Sequence, residues 1–446
     1  MASTGHESSA SRLQVAVRRW LRSRKADMGA SEHLGARDGA RLFYFNEDRS
    51  APSGGPLFRK HAEVLTTALG ATLSEGNAVR VLVNGPPTYE AMFRAIEGAR
   101  DHINIESYII DGEGPGKALA DLLLAKRREG VRINVLFDSF GSLSTDRVYF
   151  DMLRDAGIAV WEFNPLRPLR NLLNRAFHLR DHRKLLIVDG RIAFIGGVNI
   201  SSVYSPGLSK PDEKEEATQW RDTHLEIRGP VVKTLQRLFL DHWRSQSGRP
   251  AQRALYFPTL QPCGGQRIGV AACDAGRRRN PFYRSLVSAI DAAEERILVT
   301  VAYFVPPRRI VRALVRAARR GVEVRLMLPG FSDVWASLHA GRSLYGRLLH
   351  AGVKIYELHD AFLHAKTTVI DGVWTTVGSS NMDWRSYLHN AEANVIVLDT
   401  GLAREMEDLF WQDVEIAQPV TLEAWRGRGT LQRLAEWLAR KFQFFL

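Results

Sequence analysis

The chain repeats itself at a separation of about 195 residues, and this duplication constrains the possible folds more than any other feature of the sequence. The segment AIEGARDHINIESYII (95–110) matches AIDAAEERILVTVAYFV (289–305), and LRDAGIAVWEFN (153–164) matches LLHAGVKIYELH (348–359). Each copy alternates helical and strand patterns, which is typical of α/β units. The sequence therefore predicts two related, layered α/β domains, because a repeat of this length excludes a solenoid.

A segment without helical or strand periodicity separates the two copies. Residues 246–266 are rich in Gly, Pro, Gln and Ser, which is typical of a linker. We therefore predict a first domain over 61–245 and a second over 267–420. A basic, partly disordered or amphipathic segment is predicted over 1–60, and an amphipathic helix over 421–446.

The composition is that of a folded protein with an anionic partner. Of 446 residues, 61 are Lys or Arg and 49 are Asp or Glu, giving a net charge of +12. This excess favours nucleic acid or acidic lipid headgroups, and charge alone does not separate the two. The two cysteines form no disulfide framework and indicate free thiols in a reducing compartment. No apolar run approaches the roughly 20 residues that a membrane-spanning helix needs.

Both ends of the chain show apolar residues at helical spacing beside basic ones. The apolar positions are Leu13, Val17, Trp20 and Leu21 near the start, and Leu431, Leu434, Leu438 and Phe442 near the end. The start is either an interfacial helix, a solvated basic tail or an organellar transit peptide. The helix at the other end packs either on the protein's own core or on a bilayer interface.

One short motif, His-x-Lys-x4-Asp, occurs at matching places in the two copies, in DHRKLLIVDG (181–190) and LHAKTTVIDG (363–372). A Gly and an Asn follow each motif at matching distances. A single match would be weak, but this double match points to one site built from both halves. The shared residues are His182, Lys184, Asp189, Gly196 and Asn199 in the first copy, and His364, Lys366, Asp371, Gly378 and Asn381 in the second.

The residue types in the motif suit an anionic substrate. Residues i and i+2 of a strand point to the same face, so His182 and Lys184 are expected to project together. A fixed cation beside each histidine disfavours a metal site. Lysine and Asn side chains stabilise charge on phosphoryl oxygens, which leaves one imidazole as nucleophile and the other as general acid. The motif therefore predicts phosphodiester displacement through a phosphohistidine.

Each imidazole also needs an acceptor on its second ring nitrogen to hold one tautomer. Alignment of QWRDTHLEI with HNAEANVIV places Asp222 opposite Glu392. These two carboxylates are the candidates for orienting the histidines, and a surface salt bridge is the alternative for each.

The segments HRKLLIVDGRIAFIGGVNI, WRDTHLEIRGP, TVAYFVPP and GSSNMDWRS together resemble the phospholipase D superfamily over about residues 75–415. They are most similar to bacterial cardiolipin synthases without transmembrane helices. The resemblance implies two duplicated phospholipase D-like α/β/α sandwich domains, related by a pseudo-twofold axis, with the active site at their interface.

The resemblance also implies roles for individual residues. His182 is expected to become the phosphohistidine and His364 to act as acid and then as base. Asp189 and Asp371 belong to the catalytic motif in a supporting role. The aligned carboxylates are expected to orient the two histidines. The residues implied in phosphate binding are Lys184, Lys366, Asn199, Asn381 and Ser379.

Two features make the halves unequal. Gly197 occupies the position that Ser379 occupies in the second half, so one phosphate-site hydroxyl is expected to be missing. The first half also carries an insert, since 18 residues separate Asn164 from His182 whereas 5 separate His359 from His364. This apolar and basic insert is either a lipid-facing rim or an ordinary packed loop.

By resemblance, the expected reaction converts two phosphatidylglycerols into cardiolipin and glycerol, without a cofactor or an obligatory metal. Phosphatidylglycerol and a membrane surface are the expected partners, with the protein peripheral on the cytoplasmic side of the cell membrane, and nucleic acid is not expected. Two other functions remain open: a hydrolytic phospholipase D or phosphodiesterase, including a nuclease, and an inactive lipid-binding scaffold. Complete motifs in both halves disfavour the scaffold.

Overall fold

The computed structural model describes residues 55–166, 178–204, 220–247, 256–277 and 280–446. The predicted N-terminal amphipathic segment and the middle of the insert before His182 lie outside the described residues. Both predictions therefore stay untested.

The first half alternates strands and helices, as its sequence pattern predicts. Its strands are β1 (Ser74–Val83), β2 (His102–Ser107), β3 (Arg132–Asp138), β4 (Ala159–Phe163), β5 (Arg180–Asp181), β6 (Lys184–Val188), β7 (Ile192–Gly196), β8 (Trp220–Arg221) and β9 (Thr223–Arg228). Its helices are α2 (Gly85–Glu97), α3 (Pro115–Arg128), α4 (Arg147–Asp155) and α5 (Val232–Ser247), and α1 (Pro56–Leu69) precedes them.

The second half repeats this order and adds elements at its end. Its strands are β10 (Gln266–Cys273), β11 (Arg296–Val301), β12 (Glu323–Pro329), β13 (Lys354–Leu358), β14 (Phe362–Leu363), β15 (Lys366–Ile370), β16 (Trp374–Gly378), β17 (Asn390–Leu398) and β18 (Gln418–Val420). Its helices are α6 (Pro281–Ala292), α7 (Arg308–Arg319), α8 (Trp335–Arg342), α9 (Tyr345–Leu349), α10 (Trp384–Leu388), α11 (Thr400–Ile416), α12 (Leu422–Gly427) and α13 (Thr430–Lys441).

Local signals explain where several helices begin. The side chain of Asn280 accepts a hydrogen bond from the Tyr283 backbone at 3.2 Å, and Pro281 follows in the first turn of α6. Both features favour a helix start, because they satisfy or remove backbone donors that have no partner within the helix. Asp399 caps α11 in the same way through the backbone N–H of Leu402, at 2.7 Å.

Both halves contribute to one continuous sheet. The strands of the first half follow the order β4-β3-β2-β6-β7-β9-β1, and those of the second follow the equivalent order β13-β12-β11-β15-β16-β17-β10. The equivalent strands β1 and β10 pair antiparallel at the junction. A pair of equivalent antiparallel strands implies a rotation of about 180° between the halves, so the predicted duplicated α/β fold with a pseudo-twofold axis is confirmed.

One apolar core crosses the junction between the halves. Leu225 and Ile195 from the first half belong to the same buried cluster as Val395 and Val377 from the second. The two halves therefore form a common core, which holds the interface rigid.

Two short strands cross from one half to the other. Strand β5 pairs in parallel with the start of β17, and β14 pairs in parallel with β8. In each pair, the segment directly before one motif lies beside the segment directly before the other half's aligned carboxylate. This exchange brings both motifs to the interface.

Helix α1 precedes the first half in sequence but packs on the second. Phe58 and Leu65 are buried in the same apolar cluster as Leu286 of α6. Gly269 makes room for this helix, because a Cβ at that position would lie 2.5 Å from Cδ1 of Leu69. The predicted domain boundaries stay a prediction.

Within the described ranges, no helix has both the length and the apolar content required to cross a bilayer. Both cysteines are free thiols.

Each motif strand ends at a turn that is held by the motif aspartate. Asp371 has a φ of 53° and accepts hydrogen bonds from the backbone N–H groups of Glu294, Glu295 and Arg296 at 2.8–3.0 Å. His61 of α1 lies 2.9 Å from the same carboxylate. The side chain of Asp371 is fully buried, so these donors have no access to water as a substitute.

We therefore expect Asp371→Ala to lower the free energy of unfolding by about 3 kcal/mol, because it leaves buried donors unpaired and places Ala at a positive φ. Asp371→Asn should lose less, since Asn tolerates this φ and keeps one acceptor oxygen. Urea denaturation followed by circular dichroism measures both changes. Asp408→Ala removes the same charge from an exposed position on α11 and serves as the control. A loss no larger than that of the control would contradict the structural role of Asp371.

Candidate active site

The exchanged strands place each motif histidine against the opposite half. The backbone N–H of His182 donates to the carbonyl of Ala391 at 2.9 Å, and that of His364 donates to the carbonyl of Arg221 at 2.8 Å. Asp222 and Glu392 directly follow these two acceptors in the sequence. The backbone pairing therefore brings each imidazole close to a carboxylate of the other half.

His182 has two acceptors at Nδ1. The carbonyl oxygen of Ser379 lies at 3.1 Å and Oε2 of Glu392 at 3.4 Å. Both are contributed by the second half, and they hold the proton on Nδ1. Nε2 is thereby left with a free lone pair, the form that a nucleophilic imidazole needs. The side chain is 12% exposed, and the ring of Tyr108 lies against it at 5.0 Å between centroids.

His364 has a shorter bond to its carboxylate. Its Nδ1 lies 2.7 Å from Oδ2 of Asp222 and 3.0 Å from the hydroxyl of Tyr204, both of which belong to the first half. The side chain is 7% exposed. This short bond fixes the same tautomer as in His182, with the proton on Nδ1 and a free lone pair on Nε2.

The sequence alignment therefore selects the two carboxylates that lie beside the histidines. The structure adds that each carboxylate contacts the histidine of the opposite half. Each of these carboxylates is buried and faces the histidine of the opposite half. The alternative of surface salt bridges is wrong for both.

The two motif lysines are buried behind the histidines. Nζ of Lys184 donates to the carbonyl of His182 at 2.6 Å, and Nζ of Lys366 donates to the carbonyl of His364. Burial and the charge of the other lysine lower the pKa of Lys184 to about 7. Burial lowers the pKa of Lys366 to about 8, against the opposing influence of Asp222 and Glu392. The nearby carboxylates Asp222 and Glu392 thus offset only part of the cost of burying the two ammonium groups.

The same positive field acts on the imidazoles. Burial and the charge of Lys184 lower the pKa of His182, and burial with Lys366 and Lys184 lowers the pKa of His364 well below its usual value. Each histidine is therefore neutral in the unliganded site. An incoming phosphodiester anion would compensate the lysines and raise the pKa of both rings.

The pKa values of the two orienting carboxylates are shifted in opposite directions. Burial raises the pKa of Asp222 to about 6, although Lys366 and the backbone of Thr223 act against this shift. Burial also pushes the pKa of Glu392 upward, but His182 and the hydroxyl of Ser379 outweigh it and hold that pKa below its usual value. Glu392 is thus the more firmly ionised of the pair.

The first half has Gly196-Gly197 where the second half has Gly378-Ser379, and contacts with the two carboxylates explain this difference. Ser379 donates its hydroxyl hydrogen to Oε2 of Glu392. A Cβ at Gly197, the equivalent position, would lie 2.0 Å from Oδ1 of Asp222. The shorter Asp222 therefore occupies the space that a serine side chain would need. The Ser379 hydroxyl supports Glu392. In the first half Gly197 offers no such hydroxyl, and the shorter Asp222 takes the place of the glutamate.

The side chains of the two motif asparagines have different partners. Asn199 donates from Nδ2 to the hydroxyl of Tyr204 at 3.1 Å and accepts at Oδ1 from the backbone of Ile109 at 3.2 Å. Oδ1 of Asn381 is buried without a partner among the described residues. Contact of Asn199, Asn381 and Ser379 with a phosphate group stays a prediction.

Asp189 and Asp371 lie at the ends of their motif strands that are away from the histidines, and any direct catalytic part for them stays a prediction. Asp189 accepts from the backbone N–H groups of residues 100–102 at 2.8–2.9 Å, as Asp371 does from residues 294–296. Strand β6 has five residues, so Asp189 lies about 16 Å along the strand from Lys184. The supporting role that the resemblance implies for the two aspartates agrees with this position.

Sequence reasoning did not identify Tyr204, Tyr108 or Trp220. Tyr204 is buried and links Asn199 to His364, while Trp220 lies 5.2 Å from the His364 ring between centroids. Tyr108 lies between His182 and the Lys184 ammonium group, which is 5.3 Å from its ring centroid. Tyr204 and Trp220 have no counterpart in the duplicated pattern, so the sequence carries no signal for them.

A buried cluster beneath His182 has metal-ligand residue types but does not suit a metal. Single ligand atoms of Glu106, Asp181 and His242 lie within 4.8 Å of one another. Arg183 is also buried there, with Nη1 3.5 Å from Glu106 and Nη2 donating to the carbonyl of Cys273 at 2.8 Å. The guanidinium group already supplies the positive charge that these carboxylates need, so the cluster is an ion-pair network.

Comparison with known proteins agrees with the geometry. The family described as cardiolipin synthase, PLD-like domain, matches residues 92–227 and 286–414. The cardiolipin synthase of Geobacillus sp. (strain WCH70) is 34% identical over 370 residues, which cover 82% of this chain and 72% of that protein. The cardiolipin synthase of Alkalihalophilus pseudofirmus is 33% identical over 401 residues, which cover 89% of this chain and 77% of that protein.

A solved structure supports the fold. The phosphatidylserine synthase of Haemophilus influenzae Rd KW20 superposes with a TM-score of 0.61 at 13% identity, covering 87% of this chain and 100% of that chain. At this identity, the likeness concerns the fold alone. The family match and these two relatives together show that the chain belongs to the phospholipase D-like cardiolipin synthase family.

Proposed function

We propose that the protein is a cardiolipin synthase that transfers the phosphatidyl group of one phosphatidylglycerol to the headgroup of a second and releases glycerol. One observation carries the proposal: two imidazoles, each oriented by a buried carboxylate of the opposite half, share an interface with two buried lysines. This arrangement offers a nucleophile, a proton donor and two cations to one phosphodiester.

In the first step, Nε2 of neutral His182 attacks the phosphorus of a phosphatidylglycerol. The bond from phosphorus to the headgroup oxygen breaks, and Nε2 of protonated His364 donates its proton to that oxygen, which releases glycerol. Lys184 and Lys366 stabilise the charge that grows on the phosphoryl oxygens. The product of this step is a phosphatidyl group bonded to His182.

In the second step, the now neutral His364 accepts a proton from a headgroup hydroxyl of another phosphatidylglycerol. That oxygen attacks phosphorus, the phosphorus–nitrogen bond breaks, and cardiolipin leaves with both histidines restored to their starting states. The same groups act in both steps, because the second step reverses the proton movements of the first.

The different supports of the histidines favour this division of roles. The 2.7 Å bond to Asp222 stabilises the imidazolium form of His364, as a general acid needs. The closest acceptor of His182 is a neutral carbonyl, at 3.1 Å, which suits a ring that is neutral before attack. Ionised Glu392 then stabilises the positive charge of the phosphorylated ring.

Hydrolysis by water, or cleavage of a nucleic acid, is the second candidate, because the same two histidines would serve either acceptor. The described surface favours lipid. Phe140 and Leu143 are 49% and 66% exposed in the loop after β3, and Trp335 is 57% exposed at the start of α8. Exposed apolar groups around a phosphodiester site suit acyl chains better than a polyanionic strand.

We further propose that the protein is peripheral on the cytoplasmic face of the membrane, with α13 as an interfacial helix. Leu431, Leu434 and Trp437 of this helix are 82%, 52% and 56% exposed. The residues that α13 buries are Glu436 and Ala439, each 2% exposed. The helix therefore presents its large apolar side chains outward, with basic residues Arg440 and Lys441 in its last turn. Packing on the protein's own core does not account for that face.

The location of α13 agrees with a lipid substrate. The helix packs against α8, and the loop before α8 contains Asp333, whose charge acts on the pKa of Lys366 in the site. An apolar surface that adjoins the site in this way would hold the site against the headgroup layer. The exposed free thiol of Cys263 suits a reducing compartment.

Incubation of the purified protein with phosphatidylglycerol vesicles should yield cardiolipin and glycerol, separated by thin-layer chromatography. His182→Ala and His364→Ala should each lower the rate by at least about 1,000-fold, because each ring forms a bond or moves a proton in both steps. Wild type quenched with denaturing detergent at mildly alkaline pH, where the acid-labile phosphorus–nitrogen bond survives, should carry the phosphatidyl group on a peptide containing residue 182. Phosphatidic acid as the only product would establish hydrolysis and refute the transfer. Cleavage of DNA without lipid turnover would favour the nuclease.

The rate should fall on the alkaline side, because the buried lysines bind phosphate only when protonated. With pKa values of about 7 for Lys184 and about 8 for Lys366, kcat/KM should decline by about tenfold per pH unit between pH 7 and 8 and by about 100-fold per unit above pH 8, where both lysines lose their protons. Initial rates in mixed micelles between pH 6 and 10 measure this limb. Lys366→Arg keeps its charge over this range and should reduce the slope above pH 8 to about tenfold per unit. A flat profile up to pH 10 in the wild type would exclude the lysines from phosphate binding.

Replacement of Leu434 and Trp437 by Ser should weaken co-sedimentation with phosphatidylglycerol vesicles by about tenfold or more, given the apolar area that the two side chains would bury. Ile416→Ser, at a 53% exposed apolar residue of α11, is the control. Thermal denaturation should be unchanged, since the replaced side chains are exposed. Vesicle binding equal to that of wild type would show that α13 does not attach the protein to the membrane.

A further inference from the structure

The first half contains a second concave site, at the end of β6 opposite to the histidines. This cavity has a volume of about 560 Å³ and opens between α2, the turn from β6 to β7, and strands β1 and β9. A volume of this size is typical of a small-molecule site. The charged residues that line it are Arg80, Arg94, Arg100, Arg191, Arg228, Glu226 and Asp189.

The acidic residues of this arginine cavity are already neutralised. Glu226 is buried and pairs with both Arg80 and Arg228, the latter at 3.0 Å. Asp189 is bound by three backbone N–H groups. Among the described residues, the guanidinium groups of Arg100 and Arg191 have no ion-pair or hydrogen-bond partner. Arg94 pairs with Glu90 on α2, so the positive charge that remains without an acidic partner on the cavity wall, within the described part of the chain, belongs to Arg100 and Arg191.

The equivalent region of the second half is built differently. Arg80 pairs with Glu226 across β1 and β9, and Gly269 pairs with Ile396 across β10 and β17. Leu398 takes the position that corresponds to Arg228. In the second half these positions are apolar or lack a side chain, and helix α1 packs over them with Leu65 and Leu69 close to Gly269.

This contrast indicates what the first-half cavity can hold. The duplicated fold leaves a recess at this place in each half, and the second half fills it with an apolar helix segment. In the first half the recess is lined by charged side chains, and among the described residues the exposed guanidinium groups of Arg100 and Arg191 are unpaired. An apolar segment would have to desolvate these groups at high cost. An anion would satisfy them, and the planar, forked guanidinium group is suited to bidentate phosphate binding.

We propose that the arginine cavity binds a soluble ligand carrying two or more linked phosphate groups. The ligand is soluble because of the cavity's location. Asp189 borders the cavity and lies about 16 Å along β6 from Lys184. A bilayer that delivers lipid headgroups to the histidines therefore does not reach the cavity at the same time. The proposal does not depend on the reaction catalysed, since it rests on residues that the catalytic site does not use.

Isothermal titration of the full chain with inorganic pyrophosphate tests the proposal directly. The variant Arg100→Ala/Arg191→Ala should bind pyrophosphate at least about tenfold more weakly than wild type, as expected for the loss of charge-assisted hydrogen bonds. Arg309→Ala/Arg312→Ala removes the same charge from exposed positions on α7 and is the matched control, with affinity equal to wild type. All titrations use the same salt concentration, because electrostatic binding is screened by salt. Thermal denaturation checks that the variants remain folded.

Three outcomes would overturn the proposal. Equal affinity in wild type and the cavity variant would place pyrophosphate elsewhere, including at the histidines. An equal loss of affinity in the control variant would show that net charge, and not the cavity, determines pyrophosphate binding. A third arm uses phosphatidic acid vesicles, which the cavity variant should bind as well as wild type does. If that variant loses vesicle binding and keeps pyrophosphate binding, the cavity recognises a lipid headgroup and the soluble ligand is wrong. Cardiolipin formation, measured separately, reports on the catalytic site alone.

Discussion

The site depends on the exchange of two short strands between the halves. Strand β5 pairs with β17, and β14 pairs with β8. Each motif histidine directly follows β5 or β14 and so lies beside the carboxylate of the other half. An imidazole that is oriented across an interface is functional only when both halves are folded and docked. This requirement explains why a common apolar core crosses the junction, since looser packing would change hydrogen bonds of 2.7–3.4 Å between the halves.

Within this symmetric framework, the surroundings of the two histidines are not equivalent. Asp181 and Arg183 flank His182 and join a buried ion-pair network with Glu106. Leu363 and Ala365, which flank His364, lie in the apolar core instead. Alternate residues of a strand face opposite sides, so the reactive faces are alike while the supporting faces differ. A buried ion-pair network contributes little to stability, but a network that restricts the backbone on both sides of His182 would suit the proposed nucleophile.

Much of the site follows from the sequence, because the motif occurs twice at matching positions and each copy supports the interpretation of the other. The spacing of His182 and Lys184 is repeated by His364 and Lys366, and both pairs lie where the α/β alternation puts the start of a strand. The fold class and the family were predicted for the same reason. The positions of the two aspartates were harder to predict, because motif spacing alone does not show that Asp189 lies just beyond the five-residue strand β6. Tyr204 and Trp220 carry no repeated pattern and reach His364 only through the exchanged strands.

The sequence by itself determined the duplication, the α/β alternation and the residue types of the reaction centre, because these depend on periodicity and spacing along the chain. The tertiary structure decided which carboxylate serves which histidine, since that pairing depends on strands that cross between halves. It also decided how far burial lowers the pKa of each lysine, and why Gly197 accompanies Asp222 while Ser379 accompanies Glu392. Desolvation and van der Waals contact depend on neighbours that are distant in sequence, and those neighbours are known only once the chain is folded.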